Sequence, residues 1–108
     1  KRAQSIRFST RPDTISVKKL SLLEPFSIRT IEMGIQSMDD EVLRQAMRGH
    51  TAQDSLRAMR LLKQYDYTIG AQIMIGLPYQ DAISALDTAH QVAALLPDFV
   101  RIYPTLAG

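Results

Sequence analysis

Four short stretches of this chain alternate apolar and polar residues at period two, and the stretches between them carry apolar residues at helical spacing. In the first, about Ser5 to Ser9, the flanking alternation sets Ile6, Phe8 and Thr10 against Arg7, Ser9 and Arg11. The second, Thr30 to Ile35, opposes Ile31, Met33 and Ile35 to Glu32, Gly34 and Gln36. The third, Ile69 to Ile75, opposes Ile69, Ala71, Ile73 and Ile75 to Gly70, Gln72, Met74 and Gly76. The last, Phe99 to Tyr103, separates Val100 and Ile102 from Phe99, Arg101 and Tyr103. Such alternation marks strands, and the connections are long enough for crossover helices, so the strands are expected to be parallel.

The helix signals agree. Asp13 after Pro12 is placed to cap a helix carrying Ile15, Leu20 and Leu23. Ser37 with Asp40, and Thr51 with Asp54, have capping-box spacing. The first box opens a helix with Val42, Leu43, Ala46 and Met47 on its apolar face; the second opens one with Leu56, Met59, Leu62 and Tyr65. Arg48, Gly49 and His50 form a break between them, since glycine suits a helix C-terminus. A last helix spans about Asp81 to Leu96 and stops at Pro97.

Parallel strands covered on both faces read as nearly continuous apolar runs. These do not. The expected arrangement packs the apolar faces under the crossover helices and leaves the polar, glycine-containing faces to line a common concave surface, the inside of a barrel or half-barrel. A closed barrel fills its interior with branched aliphatic side chains; amides and glycines leave room and hydrogen-bonding groups for a ligand. The competing expectation is structural: Glu32 pairs with Arg7 or Arg101, and the glycines only permit close packing.

Composition narrows the classes. With 108 residues, 45% of them hydrophobic, the chain is sized for one α/β domain over residues 1–108, with little surplus stability. Thirteen basic and eleven acidic residues leave a net charge of +2, too small to argue for nucleic acid or an anionic membrane by itself. No apolar run approaches a membrane span and no signal-peptide core opens the chain, so a cytoplasmic protein without membrane contact is expected. The absence of cysteine excludes disulfides and thiolate-bound metals within these residues, and the two histidines lack zinc-ligand spacing, so no metal ligand is assigned.

The segments STRPD (Ser9 to Asp13), GIQS (Gly34 to Ser37), RGHT (Arg48 to Thr51), QIMIGLP (Gln72 to Pro78) and VRIYPTL (Val100 to Leu106) are motifs in register along nearly the whole chain. Together they resemble the radical S-adenosylmethionine enzymes that unite oxygen-independent coproporphyrinogen oxidase with the catalytic subunit of elongator. The resemblance implies the third to sixth strands of a partial (βα)6 TIM-like barrel, the C-terminal part of such a core. The CxxxCxxC loop that holds the family's four-iron four-sulfur cluster, and the glycine-rich stretch after the second strand, are expected outside this chain. By this reading the chain is a fragment, inactive alone, of an oxidoreductase-type enzyme in which a reduced cluster cleaves S-adenosylmethionine to a radical that abstracts hydrogen.

The same resemblance implies cofactor contacts: Gln36 to the ribose, Gln72 to the ribose where coproporphyrinogen oxidase has aspartate, and Arg48 to the methionyl carboxylate, a role suited to a forked guanidinium. It also implies backbone contacts from Ile75, Gly76 and Ile102 to the adenine. Ser9 stands where several relatives have glutamate. No catalytic residue is assigned. His50 is expected at a surface or helix end and His90 packed or at a border, Ser37 caps a helix, and the five methionines sit at core spacing. GLPYQ resembles the coproporphyrinogen oxidase side, and STRPD, RGHT and VRIYPTL the elongator side, so porphyrinogen and transfer RNA both stand as substrates. The alternative is a non-catalytic α/β module binding a small ligand or protein on the same face; an unrelated hydrolase would need acid and base residues where the strand ends carry amides. Uncovered sheet edges predict self-association or low stability of the isolated chain.

Overall fold

A computed structural model describes residues 6–105, so Ser5 and Leu106 lie outside the described residues. Strands β1 (Ile6–Thr10), β2 (Ile28–Gln36), β3 (Thr68–Ile75) and β4 (Phe99–Pro104) form one sheet, every pair parallel, in the order β1-β2-β3-β4. Helix α1 (Val17–Leu23) joins β1 to β2, α2 (Asp40–Gln45) and α3 (Ala52–Leu62) join β2 to β3, and α4 (Ala82–Ala94) joins β3 to β4. With strands in sequential order and crossovers of one hand, all helices fall on one side of the sheet. The other side is left free, as in the wall of a barrel.

Burial confirms which face is which. Ile31, Met33, Ile35, Ile69, Ala71 and Ile73 are buried with Ile15, Leu20, Met38, Ala58, Met59, Leu62 and Val92 in one core between sheet and helices. At roughly 25 cal/mol per Å² of apolar surface removed from water, these side chains dominate the fold's stability. The predicted strands hold; β2 starts two residues earlier than its alternation indicates.

The helix caps need correction. Asp13 caps nothing: Pro12–Thr14 is a 3-10 turn, and α1 starts after Ser16, whose hydroxyl accepts from Lys19 N at 3.1 Å. Pro12 favours the tight turn, and Asp13 is drawn to Arg11 by two hydrogen bonds of 3.0 and 2.7 Å. Asp39, not Ser37, caps α2, its carboxylate accepting from Glu41 N and Val42 N. Ser37 is buried, receives Asp39 N at 3.0 Å and faces Thr88. The Thr51–Asp54 capping box of α3 is present in full, and Asp81 caps α4 through Ser84 N.

Four apolar expectations also change. Met47 is exposed outside α2, and only Met33, Met38 and Met59 among the methionines are buried. Tyr65 follows the end of α3 and stacks obliquely near Tyr67, with centroids 5.9 Å apart. His90, with Ile83 and Leu86, lies on an exposed face of α4. Val100 and Ile102 point to the helical side of β4 yet remain exposed, because α4 packs on β3 and no described helix covers β4.

Candidate functional site

Register sorts the concave face into rows. Ser9, Glu32, Gly70 and Phe99 are laterally aligned across the four strands, and Gly34, Gln72 and Arg101 form the next row toward the C-terminal ends. In the first row Glu32, buried at 6% exposure, receives Arg7 at 3.4 Å and Arg101 at 3.2 Å. Both guanidinium groups also lie over the Phe99 ring, at 5.6 and 5.3 Å from its centroid. The ring leans onto Gly70, where an added Cβ would stand 2.3 Å from it. This layer of ion pairs and ring closes the lower part of the concave face, so the structural reading of Glu32 and Gly70 holds.

Above it, Gly34, Gln36 and Gln72 line an open pocket of about 460 Å³ together with Ser9, Thr10, Arg11, Thr14, Lys19 and Glu32. The strand β2 reaches it through a bulge. Gly34 pairs with Gln72, but Gln36 pairs with Ile73, so Ile35 is the extra residue. Gln36 takes a left-handed φ of 68°, uncommon for a residue with a side chain. Bulge and dihedral together re-aim the side chain at a strand end. Its amide folds over Gly34, whose missing Cβ would lie 2.9 Å from Gln36 Nε2, and its Oε1 accepts from Gln72 Nε2 at 3.4 Å. Amides on neighbouring strands therefore converge where ligands of parallel sheets sit.

Arg48 comes from the break between α2 and α3. Its Nη2 rests 3.3 Å from the Met74 sulfur, and its Nε is buried without a hydrogen-bond partner, so a half-buried guanidinium holds unused donors beside the end of β3. The expected helix end at Gly49 is corrected: α2 is capped at Ala46, and Met47 (φ 55°) takes the left-handed position after it, with Met47 N on Arg44 O and Arg48 N on Leu43 O, both at 3.1 Å, while Gly49 (φ 80°) turns the chain two residues further on. His50 stands at a helix end, directly before the Thr51 cap of α3, as one of its two expected placements has it, but it is buried rather than at the surface: Nε2 donates to Ile35 O at 2.9 Å, while Nδ1 has no partner. It fixes the break to the bulge that carries Gln36.

The pocket contains Gln36 and Gln72 but not Arg48, Ile75, Gly76 or Ile102. Those four stand around the same sheet end or on β4. Ile75 O is occupied by Thr105, through N at 2.8 Å and Oγ1 at 3.2 Å. Gly76 has φ 93° and would place a Cβ 2.8 Å from Thr105 Oγ1, which gives the glycine a structural reason independent of any ligand. Ile102 pairs with Ile73 along β3 and exposes its side chain on the helical side.

At the β1 end of the pocket, Lys19 Nζ donates to Thr10 Oγ1 at 3.0 Å and Thr14 Oγ1 at 2.8 Å, with no carboxylate in reach among the described residues. The neighbouring Arg11 guanidinium holds the Asp13 carboxyl below its usual range, mainly through their hydrogen bonds. Sequence reading assigned no role to Lys19, Gln80 or Tyr79, although the last two lie in GLPYQ, where the Pro78–Tyr79 pair suits a turn with positive φ at its second position.

Two convergent amides in the pocket, and outside it a guanidinium with an unpartnered Nε, are groups that could hold a polar small molecule. The set does not fit an iron–sulfur cluster, since the chain has no cysteine, and no group of three acidic or histidine side chains suited to a metal occurs among the described residues. No described helix is long and apolar enough to cross a membrane.

Comparison with known proteins gives a consistent picture. The model of the Radical SAM superfamily matches residues 1–92. A tRNA uridine(34) acetyltransferase of Methanocaldococcus infernus is 29% identical over 108 residues, covering 97% of this chain and 20% of the relative. The solved structure of the archaeal Methanocaldococcus infernus Elp3 with an N-terminal deletion superposes with a TM-score of 0.88 at 28% identity, covering 94% of this chain and 25% of that one. Coproporphyrinogen III oxidase (HemN) from Escherichia coli, a radical SAM enzyme, has the same fold, with a TM-score of 0.83 at 22% identity over 94% of this chain and 24% of that one. The chain thus spans a quarter or less of the length of these proteins.

Proposed function

The chain belongs to the radical S-adenosylmethionine superfamily, and from that premise we propose that it is the third-to-sixth-strand part of the core barrel, contributing the half that binds S-adenosylmethionine. The observation that carries this is the convergence of Gln36 and Gln72 at the strand ends, beside a half-buried Arg48 with an unused Nε. When bound next to a reduced cluster held by residues outside these 108, the cofactor supplies a radical able to abstract hydrogen from a substrate.

The chain's own residues bind and orient. Arg48 holds the methionyl carboxylate, with Nε and the Nη groups as charge-assisted donors. Gln36 and Gln72 receive and donate to the ribose hydroxyls, each amide having both functions. The backbone at Ile75, Gly76 and Ile102 borders the adenine. The Glu32–Arg7–Arg101–Phe99 layer closes the floor, limiting water beneath the reacting groups. The substrate is a transfer RNA or a porphyrinogen, the two chemistries named for the relatives of this chain.

The test uses the gene product in which this chain lies, reconstituted anaerobically with iron and sulfide, reduced, and assayed for 5′-deoxyadenosine from S-adenosylmethionine. Production that falls about a hundredfold in Arg48→Ala and Gln36→Ala, through losses of roughly 3 kcal/mol of cofactor binding and orientation, is the expected result. Unchanged rates in both variants would remove the assigned contacts, and failure to assemble any cluster would leave a non-catalytic ligand-binding module in place of the enzyme.

A further inference from the structure

His50 is buried beside the strand ends and does not line the pocket that holds Gln36 and Gln72. Its Nε2 lies 2.9 Å from Ile35 O, and a carbonyl only accepts, so Nε2 carries a proton. Nδ1 is buried and has no partner. An unpaired buried nitrogen is costly, and an apolar side chain of similar size would avoid that cost. Packing alone therefore does not account for a histidine at this position, whereas the bond to Ile35 O does.

That carbonyl has a second donor. Ser37 N reaches it at 2.7 Å and closes a three-residue turn with Gln36 (φ 68°) at its centre. With a positive central φ it belongs to the rare, strained class of such turns. It differs from the left-handed helix ends at Met47 and Leu96, whose amides bond to the carbonyls of Arg44 and Ala93 in the preceding helical turn. The turn sits in the β2 bulge and decides where the Gln36 amide goes, which is over Gly34 and onto Gln72 Nε2 at 3.4 Å.

The backbone from which His50 reaches in is pinned to neighbouring elements. Arg11 Nη2 stands 3.0 Å from where a Cβ on Gly49 would lie, and Arg11 is itself held by Asp13. Arg48 rests on the Met74 sulfur, and Thr51 caps α3 directly after His50. A fixed backbone thus stands on one side of the imidazole and a strained turn carrying a site residue on the other.

We propose that His50 is a positioning residue whose Nε2–H holds the Ile35 carbonyl, so that Gln36 is aimed at the ribose before the ligand arrives. This deepens the S-adenosylmethionine reading and rests on it. A turn ordered in advance removes the cost of ordering it on binding. His50 touches no ligand, and its effect passes through Gln36.

The test uses the gene product in which this chain lies and equilibrium dialysis with two ligands, S-adenosylmethionine and 5′-deoxyadenosine, which keeps the ribose and lacks the methionyl group. His50→Leu removes the donor and is expected to weaken both ligands about tenfold, whereas Arg48→Ala weakens only S-adenosylmethionine. His50→Gln, whose amide nitrogen can reach the same carbonyl, is expected to bind both within about threefold of the parent. In the Gln36→Ala background His50→Leu is expected to add no further loss, a non-additivity that a general loosening of the fold does not give. His50→Asn, whose shorter amide falls short of Ile35 O, supplies the same comparison where leucine is not tolerated. Parental binding by His50→Leu, an equal loss with and without Gln36, or a His50→Gln variant as weak as His50→Leu overturns the proposal. Gln36→Ala separates the two readings: if it binds both ligands like the parent, the S-adenosylmethionine reading itself falls, whereas a weakened Gln36→Ala beside a normal His50→Leu removes only the role of His50.

Discussion

Single residues decide whether the concave face is filled or open. Gly70 is required because the Phe99 ring occupies the space of its Cβ, and that ring cannot swing away while Arg7 and Arg101 flank it. Gly70→Ala is therefore expected to lose about 1–3 kcal/mol by overpacking, measured by urea unfolding, with part of the loss recovered in the double variant Gly70→Ala/Phe99→Leu. Equal losses in single and double variants would mean the ring is not the obstacle. Gly34 differs: the atom nearest its absent Cβ is the end of the Gln36 side chain, so a methyl there displaces a site residue rather than the core. The alternation of β2 and β3 made the polar face legible, and Gln36 and Gln72 with it. The same alternation offered Arg7 or Arg101 as the partner of Glu32, and the structure has both; which polar-face residues are left outside that layer was not legible, because only strand register sets the rows.

At the scale of elements, loops at the C-terminal ends of the strands are held by buried polar contacts from helices behind the sheet. Thr88, in the middle of α4, accepts Met38 N at 3.0 Å and lies 3.4 Å from Ser37 Oγ. It thereby ties α4 to the turn that follows Gln36. Thr88→Val keeps the shape and leaves the Met38 amide buried without a partner, at a cost of about 1–3 kcal/mol. Amide hydrogen exchange is expected to accelerate at Met38 and Asp39 well before the core strands respond; unchanged protection there would show that the tie is dispensable. The strands were readable from periodicity alone, but the starts of α1 and α2 were not. Pro12–Asp13 and Ser37–Asp40 both carry cap-like residues, and the choice between competing caps was settled by side-chain partners, a local one for Asp13, Arg11 two residues before it, and a distant one for Ser37, Thr88 on α4.

For the whole molecule, the open question is what covers β4. β1 and β4 are the sheet edges, and on the helical side of β4 the side chains Val100 and Ile102 are exposed, as are Ile83 and Leu86 on α4. A parallel sheet normally buries both faces, and an uncovered apolar face beside an open edge is a template for association. Sequence alternation correctly put Val100 and Ile102 on the apolar side; it carried no information about whether a helix lies over them, because that helix is not part of the local pattern. The isolated 108-residue chain is accordingly expected to self-associate at micromolar concentration, as sedimentation velocity can measure. Leu86→Lys and Val100→Lys, which add charge to this face without entering the buried core, are expected to shift the distribution toward monomer and to leave the melting temperature of the dilute chain within a few degrees. If both variants sediment like the parent, association proceeds through the β1 edge or the concave face instead. A parent chain that is monomeric throughout the concentration range would mean that a half-exposed β4 is tolerated without a partner, and that the core between the sheet and α1 to α4 suffices to keep these strands in register.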